Sequence, residues 1–171
     1  MYFLGIEFSG SEKDIHMCQR KYALELVSGL GLSGAKTAFT PLDFNHKLTS
    51  VEYDEAAKKT EDCKDPLLEN RGSYQRIMGR YLYLTMTRPD LAFMVQVLSQ
   101  YMHAPKQSHT DAALRVERYI KGSSGLGLFM PVGGKLSLTA FCDSDWVSCA
   151  ETRKSVTGYL VKLDNALISW K

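Results

Sequence analysis

Residues 73–102 read SYQRIMGRYLYLTMTRPDLAFMVQVLSQYM and carry the most regular apolar pattern in the middle of the chain. Apolar side chains recur every three or four residues on both sides of the Arg88-Pro89 step, as in helices that bury one face. The residue before a proline avoids the helical conformation, whereas proline suits the first turn of a helix. The stretch therefore predicts one helix with Ser73 as its N-cap and a second helix that begins near Pro89.

Helices are also predicted on either side of this stretch. Residues 20–32, RKYALELVSGLGL, place apolar side chains on one stripe and put Gly31 just after the last turn, where glycine commonly ends a helix. Downstream, Ser108 with Asp111 three residues later is typical of a capping box, and Gly122 is the expected end of that helix. The middle of the chain is therefore predicted to be a packed set of helices.

Short apolar runs bounded by turn residues predict strands at both ends of the chain. Residues 2–8 and 14–19 are two such runs separated by a short polar loop, which predicts an N-terminal β-hairpin. Four later runs read LGLFM, KLSLTAFC, TGYLVKL and ALISWK, and the last two are joined by a predicted turn at Asp164 and Asn165. These four runs predict a C-terminal antiparallel β-meander, so the expected fold class is α+β.

A charged connection, residues 33–72, separates the first helix from the helical middle. It lacks a sustained apolar period, so we expect an exposed linker with one short helix near Asp54–Glu61. From Asp43 to Glu69 it holds eight acidic residues and four lysines, a balance of −4. From Arg71 to Lys121, eight basic residues face three acidic ones, a balance of +5. Such segregation is expected either of a nucleic-acid-facing surface beside a linker or of two solvated faces.

Composition excludes several classes of protein. With 44% hydrophobic and 23% charged residues, the chain has the profile of a globular protein. No apolar run approaches the roughly 18 to 20 residues that span a membrane. The start lacks the basic lead of a signal peptide, so we expect an intracellular protein of the cytoplasm or nucleus. The four cysteines form no CxxC pair and the four histidines are scattered, which predicts neither a zinc site nor a disulfide framework.

Basic residues at helical spacing form the first candidate binding site. Arg115, Arg118 and Lys121 recur at i, i+3 and i+6, and this spacing fits both phosphate contact and a plain solvated face. Glu117 is expected beside them, where it can pair with Lys121 four residues on. Arg153 and Lys154 fall in a predicted loop between strands, where a nucleic-acid backbone or solvent are equally good partners.

The run KLSLTAFCDSDW, residues 135–146, forms the second candidate site because it ends in two aspartates one residue apart. A strand that delivers carboxylates can supply ligands to a metal ion. Aspartate at a strand end also commonly bonds its own backbone and caps a turn. The residues alone leave both interpretations of Asp143 open.

Seven motifs occur in one order along the chain: YFLGIEF, QRKYALEL, YLYLTMTRPDLAF, RYIKG, FCDSDW, RKSVTGY and ALISWK. In order and spacing they resemble the C-terminal part of the reverse transcriptase of copia-type long-terminal-repeat retrotransposons, running into the start of the RNase H domain. The resemblance covers essentially the whole chain. It implies a palm-end hairpin and helix over 1–32, an acidic linker over 33–72, a helical thumb/connection-like segment over 73–130 and truncated RNase H-like strands over 131–171.

The resemblance also implies which residues carry chemistry. Polymerisation in the family uses a Tyr-Val-Asp-Asp motif that holds two magnesium ions, and this chain contains no Asp-Asp pair because the motif is expected upstream of Met1. RNase H cleavage uses about four carboxylates around two magnesium ions, of which the first maps to Asp143. Asp145 is better suited to cap the turn, and the remaining carboxylates are expected beyond Lys171. We therefore expect Asp143 to be a vestigial metal ligand, with no magnesium bound.

Two functions follow as expectations. The first is a fragment or degenerate remnant of a copia-type Pol polyprotein with no catalytic activity of its own. The second is a co-opted module that binds a protein or nucleic acid, such as an RNA–DNA hybrid or a duplex, weakly through the basic helical segment. The residues expected to contact nucleic acid are Arg115, Arg118, Lys121, Arg153 and Lys154.

Overall fold

The computed structural model describes residues 1–43, 48–57, 65–133, 136–146 and 151–171. Within these ranges the helices are α1 (Arg20–Gly29), α2 (Val51–Ala56), α3 (Arg71–Leu84), α4 (Pro89–Ser99) and α5 (Gln107–Gly122). The strands are β1 (Tyr2–Phe3), β2 (Ile6–Gly10), β3 (Asp14–Cys18), β4 (Gly127–Pro131), β5 (Leu138–Asp145), β6 (Val156–Leu163) and β7 (Ala166–Trp170). The α+β class is therefore confirmed. None of the described helices is both long and apolar enough to cross a membrane.

Helices α1, α3, α4 and α5 supply the hydrophobic core, as the apolar periodicity predicts. In α3 the fully buried side chains recur every three or four residues. Tyr74 and Tyr81 belong to this stripe, and their hydroxyl groups donate to the backbone oxygens of Leu98 at 2.8 Å and Ala113 at 2.9 Å. Each buried hydroxyl thus has an acceptor, and the two tyrosines tie α3 to α4 and to α5.

The end of α1 confirms the predicted glycine stop. Gly31 has a φ of +69°, a left-handed conformation that glycine adopts without the penalty of a Cβ. Its N–H donates to the Ser28 oxygen at 3.0 Å, and the N–H of Leu32 donates to the Val27 oxygen at 3.2 Å. This pair of bonds is the Schellman arrangement, which satisfies the last carbonyls of the helix.

Two predicted N-caps are wrong. Helix α3 is capped by Asn70, whose side chain accepts a hydrogen bond from the Ser73 N–H at 3.3 Å. Helix α5 follows Lys106, whose N–H donates to Nδ1 of His109 at 3.0 Å, so Ser108 lies inside the first turn. In both helices a polar side chain near the predicted cap satisfies the terminal backbone groups, which explains why the sequence pattern was close but displaced.

The short helix of the connection lies earlier than predicted. Helix α2 begins at Val51 because Ser50 caps it, with the Ser50 hydroxyl accepting a hydrogen bond from the Tyr53 N–H at 3.2 Å. The expected range of Asp54–Glu61 overlaps only its second half, and residues 58–61 lie outside the described part of the chain.

The first sheet has the strand order β1-β2-β3-β4 and contains the predicted N-terminal hairpin. Its fourth strand, β4, corresponds to the run LGLFM, which was predicted to belong to the C-terminal meander. That assignment is wrong. Strand β4 pairs antiparallel with β3, with Leu128 opposite Met17 and Gly127 opposite Cys18. A Cβ at Gly127 would lie 2.1 Å from the Met17 oxygen, so only glycine permits this close approach.

The second sheet has the order β5-β6-β7 and forms the meander predicted from the last three runs. Leu163 pairs with Ala166 across the predicted turn, and Asp164 has a φ of +52°. Aspartate tolerates this left-handed conformation better than most residues with a side chain. Strand β7 contacts β4, so the two sheets lie side by side. Strand β5 lies at the far edge and is exposed along its whole length.

Candidate functional site

Asp143 lies on β5, opposite Gly158 of β6. Its Oδ1 atom accepts a hydrogen bond from the Ser144 N–H at 2.9 Å, which is a local backbone contact of the kind that aspartate makes near turns. Asp145 is the last residue of β5 and lies opposite Val156. Because side chains alternate along a strand, the two carboxylates project from the same face of the sheet.

The residues described around Asp143 do not fit a two-metal centre. Throughout the described part of the chain, no group of three or more His, Cys, Asp or Glu side chains comes together in a way that could hold a metal ion. Two-metal hydrolysis places two ions about 3.5 to 4 Å apart and requires several shared carboxylates. Asp143 and Asp145 together offer at most a weak contact to a hydrated magnesium ion.

The basic side of α5 is contacted by a segment of the connection, residues 33–43, which we call the cover segment. Lys121 Nζ donates to the backbone oxygens of Ser33 at 2.6 Å and Ala35 at 2.7 Å. At the other end, Arg115 Nη2 donates to the Thr40 hydroxyl at 3.0 Å, and Arg115 Nη1 lies 3.6 Å from a carboxylate oxygen of Asp43. Two of the three predicted phosphate-binding cations of α5 therefore have partners within the chain.

Arg118, the third of these cations, lies between them and is half-buried. Its backbone oxygen accepts a hydrogen bond from the Ala38 N–H of the cover segment at 3.2 Å. The Nε atoms of Arg115 and Arg118 are buried and have no hydrogen-bond partner among the described residues. The structure thus brings the three predicted residues together on one side of α5 but leaves part of their donor capacity unused.

Arg153 and Lys154 are exposed and lie apart from this cluster. They precede Val156, which pairs with Asp145, so they sit at the end of the second sheet that also carries the two aspartates. Arg153 has a φ of +56°, a left-handed conformation uncommon for residues with a side chain. The predicted loop position is confirmed, and a role in nucleic-acid contact stays a prediction.

Glu117 does not lie beside the basic residues, and the predicted pairing with Lys121 is wrong. Its side chain is fully buried in the helical core, where Oε2 accepts a hydrogen bond from the Tyr81 hydroxyl at 2.7 Å. The other oxygen, Oε1, is buried with no partner among the described residues. Burial raises the pKa of Glu117 to about 7, against opposing effects of the Tyr81 hydrogen bond and the charge of Arg80.

Two ion pairs in which the cation is buried were not identified from the sequence. Arg88, only 1% exposed, donates from Nε and Nη2 to both carboxylate oxygens of Asp90 at 2.8 and 2.7 Å. Its Nη1 also donates to the Ser123 oxygen at 3.0 Å, just beyond the end of α5. Since Arg88 precedes Pro89, the Arg-Pro-Asp motif ends one helix and also fastens the start of the next to the end of α5.

The second pair involves Lys106, which is 3% exposed. Its Nζ donates to Asp54 at 2.5 Å and lies 3.7 Å from Asp65, so it holds two parts of the connection against the start of α5. His109 lies next to it, stacks on Tyr101 with ring centroids 4.0 Å apart, and has a pKa lowered by burial and by the charge of Lys106. The spacing of these residues in the sequence carries no periodic signal that could have revealed the cluster.

Comparison with known proteins places the chain among transposon-derived sequences. It is 38% identical over 169 residues to the Retrovirus-related Pol polyprotein from transposon RE2 and 36% identical over 169 residues to that from transposon RE1, both of Arabidopsis thaliana. Each match covers 99% of this chain but only 11% of the polyprotein. No family model and no solved structure matches the chain.

An uncharacterized mitochondrial protein of Arabidopsis thaliana is also similar. It is 37% identical over 171 residues, a match that covers 99% of this chain and 65% of that protein. The transposon relatives match nearly the whole chain, including the motifs from which the resemblance was inferred. The chain therefore belongs to the copia-type retrotransposon Pol family and corresponds to a short segment of those much longer polyproteins.

Proposed function

We propose that this segment corresponds to the connection of a copia-type reverse transcriptase leading into the first strands of its RNase H domain, and that it neither extends primers nor cleaves RNA by itself. The similarity to Pol polyproteins over 99% of the chain supports the transposon origin. The order of a helical unit followed by a three-stranded antiparallel sheet agrees with the connection and RNase H regions that the motifs imply.

The position of Asp143 carries the proposal that the segment is not catalytic. It is the one residue of the described chain that the motif resemblance assigns to RNase H chemistry, and it lies on an exposed strand with one carboxylate oxygen bonded to its own backbone. Cleavage by two metals needs one ion to activate water and the other to stabilise the leaving oxygen. The described residues near Asp143 supply too few ligands for that arrangement.

A cleavage assay with a labelled RNA–DNA hybrid tests this proposal. Wild type, Asp143→Asn and the matched control Asp145→Asn are purified in parallel and incubated with magnesium or manganese. We expect no cutting above the buffer background by any of the three proteins, and no extension of an annealed primer. Metal-dependent cutting by wild type and Asp145→Asn that disappears in Asp143→Asn would overturn the proposal.

A second candidate function is weak, non-specific contact with nucleic-acid backbone. The observation that favours it is the exposure of Arg153 and Lys154 at the same end of the sheet as Asp143. Cations that neutralise phosphates release counterions, so binding by this route falls steeply with salt. The basic residues of α5 add to this contact only to the extent that they are accessible.

Charge reversal tests the contact directly. We expect Arg153→Glu combined with Lys154→Glu to weaken hybrid binding by about tenfold at low salt and to flatten its salt dependence. The matched control reverses Lys13 and Arg20, two exposed basic residues outside the second sheet, and thus makes the same change in net charge. Equal losses in both double variants would show that net charge, not this site, determines binding.

A further inference from the structure

The cover segment presents oxygen atoms to the cations of α5, as a phosphate backbone would. Two backbone carbonyls accept hydrogen bonds from the Lys121 ammonium. The Thr40 hydroxyl accepts one from the Arg115 guanidinium, which also forms an ion pair with the Asp43 carboxylate. Two of these partners are neutral backbone oxygens and one is a neutral hydroxyl, which accept weaker hydrogen bonds than an anionic group does.

This arrangement leaves donors unused. The buried Nε atoms of Arg115 and Arg118 have no partner among the described residues, and a buried N–H without an acceptor costs about 1 to 3 kcal/mol. A phosphate group offers several oxygens to one guanidinium and can engage Nε together with a terminal nitrogen. The basic side of α5 is therefore better matched to phosphate than to the cover segment.

The cover segment is also held by weak forces. None of its residues is fully buried, and it contains no regular helix or strand. Its largest apolar side chain, Phe39, is 94% exposed, whereas Leu42 near the other end is partly buried against the helical core. Exposed polar segments with few buried contacts open at low free-energy cost.

We infer that the cover segment and nucleic-acid phosphates compete for the same side of α5. With the segment in place, the Arg115 and Lys121 side chains are bonded within the chain and Arg118 is half-buried. When the segment moves away, the three cations form a stripe that binds phosphate. The inference deepens the second candidate function above and rests on it, because it names the surface that nucleic acid would occupy and the internal group that it must displace.

A reversible disulfide tests the competition, because the linked and unlinked forms being compared have the same sequence. A Cβ at Gly122 would lie 3.3 Å from the Cβ of Thr37, close to the roughly 3.5 to 4.5 Å between Cβ atoms in disulfides. Thr37→Cys together with Gly122→Cys, with Cys63, Cys142 and Cys149 replaced by serine, therefore links the cover segment to the end of α5. We expect the oxidised protein to bind a labelled hybrid duplex about tenfold more weakly than the same protein after reduction.

A second variant loosens the cover segment instead. Thr40→Val combined with Asp43→Asn removes the hydroxyl acceptor and the negative charge that face Arg115, so we expect hybrid binding about three- to tenfold tighter than in wild type. The salt dependence should also become steeper, by about one unit of slope for each added phosphate contact. Phe39→Ala is the control for a change in the same segment, and Glu12→Gln is the control for the loss of one exposed negative charge.

Hydrogen exchange of one amide reports the displacement itself. The Ala38 N–H is bonded to the Arg118 oxygen only when the cover segment lies on α5. We expect saturating hybrid to speed its exchange, whereas amides within α5 stay protected. Unchanged exchange on binding would show that the segment does not move.

The outcomes distinguish a failure of the competition from a failure of nucleic-acid binding as a whole. Equal binding by the oxidised and reduced forms, with a loss in the Arg153 and Lys154 double variant, would keep nucleic-acid contact but refute the competition. Absence of binding by every form, including the loosened variant, would refute both. A loosened variant that gains no more than Glu12→Gln would show that the gain is an effect of net charge, and would also refute the competition.

Discussion

Glu117 makes the stability of the helical core depend on pH. The carboxyl group is fully buried and its pKa is raised from 4.5 to about 7, mainly by burial. The Tyr81 hydroxyl has one proton but two acceptors within reach, Glu117 Oε2 at 2.7 Å and the Ala113 oxygen at 2.9 Å. A protonated Glu117 resolves this conflict, because its own O–H can donate to the tyrosine oxygen while the tyrosine donates to Ala113.

The size of this pH dependence follows from the difference in the pKa of Glu117 between the unfolded and folded states. At about 1.4 kcal/mol for each pKa unit, a rise from 4.5 to about 7 corresponds to about 3 kcal/mol of stability. Because the folded pKa is the higher one, this stability is fully present below about pH 4.5. It is lost as the pH rises through about 7, where the folded protein must give up the proton.

Glu117→Gln removes the titrating group but keeps its shape and hydrogen-bonding capacity. We expect the free energy of unfolding of wild type, relative to Glu117→Gln, to fall by about 3 kcal/mol between about pH 4 and pH 8. Urea unfolding at several pH values measures this difference. His109 also titrates, since burial lowers its pKa, but it is common to both proteins and cancels in the comparison.

Asp111→Asn is the matched control, because Asp111 is an exposed carboxylate on the same helix. Relative to Glu117→Gln, its unfolding free energy should show the same fall of about 3 kcal/mol as wild type, because Glu117 is still present. If the curves of wild type and Glu117→Gln ran parallel across the range, Glu117 would have the same pKa in both states. The account of a buried neutral carboxyl group would then be refuted.

Three further predictions concern the structure around this core. Asp90→Asn should destabilise the protein by about 2 to 3 kcal/mol in urea unfolding, because it leaves the buried Arg88 guanidinium without its paired carboxylate. The Asp90 side chain is 32% exposed, so we expect a smaller loss than the roughly 3 to 5 kcal/mol of fully buried ion pairs. Gly127→Ala should detach β4 from β3, seen as loss of amide protection at Leu128, because its Cβ would lie 2.1 Å from the Met17 oxygen; Gly125→Ala, which meets no atom within 4 Å, is the control. Amides of β5 should exchange faster than those of α3, α4 and α5, since the whole strand is exposed, and equal protection would contradict the exposed-edge assignment.

Local patterns in the sequence predicted most of the secondary structure. The helices around Tyr74 and Leu91 follow from apolar periodicity, and the end of α1 follows from the conformational freedom of Gly31. These features depend on residues within one or two turns of each other. They could therefore be inferred without knowledge of the tertiary structure.

Features that depend on distant residues could not be inferred in this way. The run LGLFM pairs with β3, more than a hundred positions away, and its alternation is equally compatible with either sheet. Glu117 was expected beside the basic residues of α5, where it can pair with Lys121 four residues on. Its burial depends on the Tyr81 hydroxyl of another helix, which no local pattern records.

The candidate site also combines features that local sequence patterns predict with features that depend on distant residues. Helical spacing placed Arg115, Arg118 and Lys121 on one side of α5, and all three contact the cover segment. Their partners in the cover segment could not be predicted, because that segment has no periodicity and contacts α5 largely through backbone oxygens. The run of apolar residues before Asp143 correctly predicted a strand that ends near two aspartates.

A magnesium titration followed by NMR observes metal binding at the Asp143 end of β5 itself and is unaffected by contaminating nuclease. We expect small shifts of the Asp143 and Ser144 amides that approach saturation only at millimolar magnesium, and that are lost in Asp143→Asn. We expect no second binding event. Tight binding of two ions at the Asp143 end of β5, saturating at micromolar concentration, would contradict the claim that this segment lacks a catalytic metal centre.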